Sequence, residues 1–375
     1  MKKGVIIAII SVAAVVVIAV VLFVVVPLAT SKEAEANLGE ALSEAGIPNN
    51  MWSADKVSYV PILGHLVVEK LTFGDKSSGA FIEAKKVTLA LNRGSDDLFA
   101  GSVDAQGLSF QADDTGITAK SLFVKDFSID KALFKYSPFE SVKKIGKINL
   151  SDTAFRQKGR RYFSLGSLNA NVGYVEGKIP LSSSVSLKDL VIDIRQFVPL
   201  PTLRSEYRFS NLELKNSVSS GIYTVNLVID GTNLFTINAS LGISFPPGLL
   251  SSGDITHLHL IDYEEDVKLN SLGLTYTDKS LLDHIFELAG MSGGRERAAE
   301  QFVDALPIFT LIGGDDAERL HGELMQFIAK PGKFELKTNI STPLSFEGII
   351  QNPLAMNVSL SINGGKPFTT ERQTK

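Results

Sequence analysis

Two histidines in the segment THLHL, His257 and His259, have the spacing that comes nearest to metal-binding chemistry in this chain. A β-strand would place both imidazoles on one face, ahead of the carboxylates of Asp262 and Glu264. A protein metal site needs a third defined ligand, and the chain has no cysteine to supply a thiolate. The pattern therefore favours a polar strand face that runs into an acidic turn, and we predict no metal site.

The other polar motifs do not combine into a catalytic site. Gly313-Gly314-Asp315-Asp316 precedes an amphipathic stretch, which favours a helix N-cap over an ion site. The sequence has no GxSxG, P-loop or HExxH motif, and it offers no nucleophile with a matching base and orienting group. We therefore predict that the protein is not an enzyme and has no catalytic residues, cofactor or metal.

The densest basic patch is FRQKGRRYF, in which Arg156, Lys158, Arg160 and Arg161 are flanked by aromatic residues. Such a patch can contact lipid headgroups or an acidic partner. It also suits a tight hairpin with a solvated turn at Gly159, and this second interpretation is favoured because it requires no partner.

The composition excludes some classes of function. The net charge is −4, from 37 basic and 41 acidic residues, so the surface is of mixed charge and a dedicated nucleic-acid binder is not expected. With 375 residues the chain is long enough for one large elongated domain or two ordinary ones. The absence of cysteine is compatible with an oxidising compartment.

The N-terminal segment from Gly4 to Leu28 is apolar and uncharged. Its length predicts a single transmembrane helix, because it covers a bilayer core at 1.5 Å per residue. A cleaved signal peptide is the alternative, with Ala34-Glu35-Ala36 as a cleavage site, but its apolar run is normally shorter. Lys2 and Lys3 predict a cytoplasmic N-terminus, so that residues 1–30 form the cytoplasmic start and anchor and the bulk of the chain lies outside.

The rest of the chain divides by its hydrophobic period. Residues 31–55 predict a juxtamembrane helix and linker, and residues 56–277 a β-rich domain of short alternating segments separated by turn residues. Residues 278–330 predict a segment of three amphipathic helices, and residues 331–375 C-terminal strands and a polar tail. The predicted fold class is mainly β with a helical insertion, in which an elongated antiparallel sheet follows the N-terminal transmembrane helix.

Strict alternation gives a sheet one apolar and one polar face, and the apolar face must be covered. A closed sandwich or barrel would cover it with the protein itself, which is the usual solution for a soluble β chain. An open gutter would instead leave an apolar channel suited to acyl chains. Both forms remain possible from the sequence. The residues expected to line the apolar face are Leu71, Phe73, Val87, Leu89, Leu91, Leu212 and Leu214.

Over about residues 1–110 the chain resembles bacterial AsmA-like proteins. The resemblance rests on Lys2-Lys3 before an apolar segment, on Val57–Phe73 (VSYVPILGHLVVEKLTF), on Ala84–Leu91 (AKKVTLAL) and on Asp97–Val103 (DLFAGSV). The helical block at residues 279–329 departs from the family pattern.

The resemblance implies a single-pass inner-membrane protein with a periplasmic body, which handles phospholipid or supports envelope assembly through its apolar β face. The implied partners are the inner membrane, phospholipid and other envelope proteins, and no nucleic acid. The alternative is a structural or protein-interaction module with a closed β core and no lipid cargo, in which the helices form the docking surface.

Overall fold

The computed structural model describes residues 36, 38–39, 42–43, 48–60, 64–76, 79–92, 98–130, 142–175, 181–193, 206–245, 267–288, 297, 299–300, 303 and 314–369. The chain divides into two compact units. Unit 1 comprises Met1–Glu176 and Ser183–Val198, and unit 2 comprises Gly177–Ser182 and Pro199–Lys375.

Unit 1 is an antiparallel meander, in which strands that follow one another in sequence pair with each other. Two short strands, β1 (Trp52–Ser53) and β2 (Lys56–Val60), lie end to end along β3. The pairing then continues strand by strand through β3 (His65–Asp75), β4 (Ala80–Asn92), β5 (Leu98–Ala112), β6 (Thr115–Asp130), β7 (Val142–Gln157), β8 (Arg160–Val175) and β9 (Ser182–Asp193).

The core of unit 1 lies on the apolar face of β3 to β6. Inward residues such as Leu66, Val87 and Leu122 are buried there together with Leu38 and Leu42, which belong to the segment before the sheet. The described positions of this segment, residues 36, 38–39 and 42–43, are helical. The predicted juxtamembrane helix therefore contributes to the core, because its two leucines, four residues apart, share one helix face.

A line of irregular positions crosses the sheet of unit 1, with one position in each of the strands β3 to β9. We call it the kink row, and φ is positive at alternate members: Lys70 (50°), Gly107 (64°), Asp152 (46°) and Asp189 (54°). The register places Lys85, Lys120 and Gly166 between them. On crossing this row, the alternation of inward and outward side chains shifts by one residue in each of the paired strands. Val68 and Leu71, three residues apart, therefore both point to the core. Left-handed residues in a strand interrupt the pleat in this way.

Unit 2 is a second meander, extended by helices. Its strands are β10 (Glu206–Ser219), β11 (Ile222–Gly231), β12 (Phe235–Ser244), β13 (Lys268–Asp278), β14 (Lys333–Thr338), β15 (Leu344–Ser345), β16 (Val358–Ile362) and β17 (Phe368–Thr369). Its helices are α1 (Leu281–Leu288), α2 (Gly314–Ala329) and α3 (Phe346–Gln351), and a 3₁₀ turn covers Pro353–Met356. β13 pairs with both β14 and β15, and β16 joins β14 to β17.

The structure corrects the predicted fold class in two respects. First, no helix among the described residues is long and apolar enough to cross a bilayer. The segment Gly4–Leu28, to which that helix was assigned, lies outside the described residues.

Second, the closed sandwich or barrel is wrong. Within the described parts of the chain, no pairing joins β9 to β1 or β2 in unit 1, or β17 to β10 in unit 2. The described strands therefore do not close into a barrel or sandwich.

In the predicted helical segment, residues 278–330, the described residues are helical at three places. These are α1, α2 and, between them, positions 297, 299, 300 and 303; the other residues there lie outside the described ranges. The third bounded helix, α3, falls among the predicted C-terminal strands. Ser345 caps it by accepting a hydrogen bond from the Gly348 backbone N–H at 3.0 Å, and a helix of six residues is too short to show a hydrophobic period.

Candidate functional site

Cross-strand register places the apolar side chains of unit 2 in continuous rows on one face of its sheet. One row runs from Leu214 in β10 through Leu227, Ala239, Leu274, Leu336 and Leu360 to Phe368 in β17. A second row runs from Leu212 through Ile229, Ile237, Tyr276 and Phe334 to Ile362. We call this surface the unit 2 apolar face.

Helix α2 covers one end of this face. Leu320, Leu324 and Phe327 follow one another at spacings of four and three, so they lie on one side of the helix. All three are buried in a cluster with Leu360 and Phe368. The β14, β16 and β17 end of the unit 2 apolar face is therefore sealed.

Aromatic rings connect the sealed end to the other end. The Phe327 ring centroid lies 6.3 Å from that of Tyr276, which lies 6.2 Å from that of Phe235, which in turn lies 6.4 Å from that of Phe209 in β10. Separations of this size are typical of favourable edge-to-face or tilted aromatic pairs. The rings form a row of aromatic contacts from α2 through β13 and β12 to β10.

The β10 to β13 part of the unit 2 apolar face is open. Leu214 is 42% exposed, and Leu272 of β13 is 36% exposed. Their neighbours on the same face, such as Leu212, Leu227 and Ile237, are only half-buried. Contiguous exposed apolar surface of this kind marks binding sites on folded proteins.

The opposite face of the same strands is polar. Lys215 and Glu213 form an ion pair there at 2.8 Å, and Lys333 and Glu335 form another at 2.8 Å. Lys333 holds the pKa of the Glu335 carboxyl below its usual value. The two faces therefore differ sharply in chemistry, and only one of them is suited to an apolar ligand.

Asp230 connects strands β10 to β12 with the start of α1. Its carboxylate accepts hydrogen bonds from Lys279 Nζ at 2.7 Å, Ser210 Oγ at 2.7 Å and Thr236 Oγ1 at 3.4 Å. The bond from Lys279, and then that from Ser210, lower the pKa of Asp230. Nearby, burial and then the hydrogen bond that the Tyr276 hydroxyl donates to Asp278 raise the pKa of Tyr276.

Unit 1 repeats the arrangement of a sealed and an open end. Its apolar rows continue from the buried strands into β7, β8 and β9, for example from Leu122 through Leu150 and Leu168 to Leu187. Leu122 is buried, whereas the last three residues are only partly buried. We call the β7 to β9 part the unit 1 apolar face.

A basic depression borders the unit 1 apolar face. It has a volume of about 480 Å³ and is lined by Gln157, Lys158, Arg160 and Tyr162 at the tip of the β7–β8 hairpin. Lys158 (φ 51°) and Gly159 (φ 73°) form the two-residue turn, and positive φ at both positions is the requirement of a type I′ hairpin turn. The hairpin predicted at Gly159 is therefore present, and it carries its positive charges at the rim of an apolar surface.

The structure divides the seven residues predicted to be lipid-facing into two groups. Leu71, Phe73, Val87 and Leu89 belong to the buried core of unit 1. Leu212 and Leu214 lie on the open part of the unit 2 apolar face. The backbone of Leu91 is in β4, but its side chain is outside the description.

Sequence reasoning did not select Phe209, Phe235 or Leu272, although all three lie on the unit 2 apolar face. Phe235 and Leu272 belong to alternating apolar positions of their strands, so the period-2 pattern was available as a signal. Phe209 was hidden by a register irregularity between Phe209 and Asn211, which changes the alternation in β10.

His257 and His259, for which the sequence favours a polar strand face over a metal site, lie outside the described residues. Within the described ranges, no group of three or more His, Cys, Asp or Glu side chains is placed to hold a metal ion. Asp315 lies in the first turn of α2 and is exposed.

The fold and these surfaces define an antiparallel β protein whose sheets each present a partly open apolar face. A protein-family model described only as "Uncharacterized protein" matches residues 228–362, from β11 to β16. No curated protein matches the chain. The family match does not overlap residues 1–110, so the resemblance to AsmA-like proteins stays a prediction, as do the periplasmic location and the absence of enzymatic activity.

Proposed function

We propose that this protein binds phospholipid acyl chains on the open apolar faces of its sheets. The observation that carries the proposal is the exposure of two leucines, Leu214 and Leu272, which belong to adjacent rows of one face whose reverse side is polar. A soluble β sheet normally covers such a face, because exposed apolar surface costs about 25 cal/mol per Å². An acyl chain removes that area from water without needing a specific polar partner.

The dimensions of the open faces suit this ligand. The ten residues of β11 extend roughly 33 Å at about 3.3 Å per residue. One lipid chain spans half of a bilayer core of about 30 Å, so a chain of about 15 Å fits along the strand. Non-directional apolar contacts also tolerate chains of different lengths and degrees of unsaturation.

Site-specific photo-crosslinking of the full chain tests the proposal. The photoreactive residue p-benzoylphenylalanine is placed at Leu214 on the open face, and the matched control carries it at Glu213, the adjacent residue on the polar face. After irradiation in cells, mass spectrometry of the purified chain identifies the adducts. We expect phospholipid adducts at position 214 and not at position 213.

Two results would overturn the proposal. Equal lipid labelling at both positions would show that contact with lipid is unspecific. A protein adduct at position 214 without any lipid adduct would indicate that a protein partner, and not a lipid, binds this face.

Substitution gives a second measurement. Leu214→Lys places a charge on the apolar face, whereas Ser217→Lys places the same charge on the exposed polar side of the same strand. Burying the exposed 42% of Leu214 contributes about 0.8 kcal/mol of a total of about 2 kcal/mol, so Leu214→Lys should weaken lipid binding at least about fourfold. Ser217→Lys should leave binding unchanged.

A further inference from the structure

The basic depression at the β7–β8 tip lies where the unit 1 apolar face ends. Phe155 and Gln157 are two residues apart in β7 and therefore share a face, and Gln157 is directly opposite Arg160. The Tyr162 ring contacts the Phe155 ring edge-on at 5.8 Å between centroids. An apolar surface thus passes directly into a polar, cationic rim within one strand pair.

The charges at this rim are available for a ligand. Lys158 and Arg160 are exposed, and neither forms an ion pair with any residue that the structure describes. The nearest turn contributes Asp113 and Asp114, and the Asp114 carbonyl accepts a hydrogen bond from the Lys158 backbone N–H at 2.8 Å. That contact fixes the turn through the backbone, so it leaves the Lys158 ammonium free to point elsewhere.

The same hairpin carries two further cations. Arg156 and Arg161 are directly opposite each other across the two strands, on the face of the hairpin that is turned away from Gln157. The two cations that line the depression itself are therefore Lys158 and Arg160.

We propose that Lys158 and Arg160 bind the phosphate of an anionic phospholipid whose acyl chains lie on the unit 1 apolar face. The inference rests on the function proposed above and adds the class of headgroup. Arginine and lysine are the usual partners of phosphate, and Tyr162 suits the boundary because its ring is apolar and its hydroxyl is polar. A free phosphate ion would use the same cations but not the adjacent apolar face, which therefore favours the lipid as the ligand.

The test uses the delipidated full chain in a non-ionic detergent and short-chain lipids that dissolve as monomers. Isothermal titration compares dihexanoyl phosphatidylglycerol, which is anionic, with dihexanoyl phosphatidylcholine, which is zwitterionic, and with inorganic phosphate. The double variant Lys158→Gln/Arg160→Gln removes the two cations. The matched control Lys86→Gln/Lys125→Gln removes two exposed lysines from the polar face of the same sheet.

We expect the wild-type chain to bind the anionic lipid on the order of tenfold more tightly than the zwitterionic one, because each nearby cation favours an anionic headgroup. The depression variant should lose this preference and keep its affinity for the zwitterionic lipid. The polar-face control should keep the preference. Raising the salt concentration should reduce it in the wild type, because exposed charges are screened.

Three other results would each contradict one part of the proposal. Equal binding of both lipids by the wild type, or an unchanged preference in the depression variant, would overturn the headgroup assignment while lipid binding stands. Failure of both lipids to bind would overturn the proposed function itself. Inorganic phosphate binding as tightly as the anionic lipid would show a simple anion site in place of a lipid site.

Discussion

Leu89 shows most directly that the sealed and open parts of an apolar face have different roles. Its side chain is 0% exposed in the core of unit 1, and its cross-strand neighbours Leu66 and Val103 are also buried. Leu89→Ala should therefore destabilise unit 1 by about 2–5 kcal/mol, since strands fixed by their hydrogen-bond ladders cannot collapse into the cavity. The same substitution at a position that is already half open removes fewer contacts.

Trp52 provides the assay, because it is the single tryptophan of the chain and packs against this core. Urea unfolding followed by its fluorescence reports on unit 1. With a slope of about 2–3 kcal/mol per M, a loss of about 3 kcal/mol lowers the unfolding midpoint by about 1 M. The matched control is Leu168→Ala in β8, where the side chain is half-buried and the expected loss is about 1 kcal/mol.

A midpoint for Leu89→Ala no lower than that for Leu168→Ala would refute the distinction between the sealed and open ends. If the distinction holds, a charged residue at Leu89 reports on folding, and only positions such as Leu214 report on ligand binding.

Three further substitutions test the structure. Thr153→Val should leave the free energy of unfolding unchanged or raise it by about 1 kcal/mol in the same fluorescence assay. The reason is that the buried Thr153 Oγ1 has no hydrogen-bond partner among the described residues. A clear loss of stability would show that this hydroxyl does have a hydrogen-bond partner. Gly107→Ala should lower the free energy of unfolding by about 1–2 kcal/mol, because φ is +64° and a Cβ would lie 2.6 Å from Lys85 side-chain carbons. Gly107→Asn should lower it by less, since Asn tolerates positive φ. Equal losses would argue against backbone strain. The pKa of Asp230 is lowered in the folded state, so its stabilising contribution is complete above the unfolded pKa of about 4 and is lost as the pH falls through the folded pKa. Asp230→Asn should therefore cost about 0.5–1 kcal/mol at pH 7 and progressively less in acid, measured by urea unfolding and circular dichroism. A pH-independent difference would contradict the assignment.

The period-2 pattern predicted a mainly β chain, and the structure has antiparallel strands of this kind. It did so because the alternation of side chains in a strand is a local property that each segment carries by itself. The turn at Lys158–Gly159 was equally readable, since glycine beside a polar residue between two strands favours a hairpin. The helix boundaries after residue 278 were less readable, because short helices such as α3 depend on a cap and on their neighbours.

The candidate site was only partly predictable. Leu89 and Leu214 have the same residue type and the same alternating context, yet one is sealed in a core and the other is exposed. The difference arises from Leu38, Leu42 and helix α2, which cover one end of each face and come from distant parts of the sequence.

By itself, the sequence determined that the chain forms strands with one apolar and one polar side, because residue type and spacing fix which side chains can share a face. Only the tertiary structure decided how those faces are used. Strict alternation would place Val68 and Leu71 on opposite sides, and the left-handed backbone at Lys70 brings them to the same side. Whether a face is buried depends on the elements that pack against it, and the sequence of the strand alone does not specify those elements.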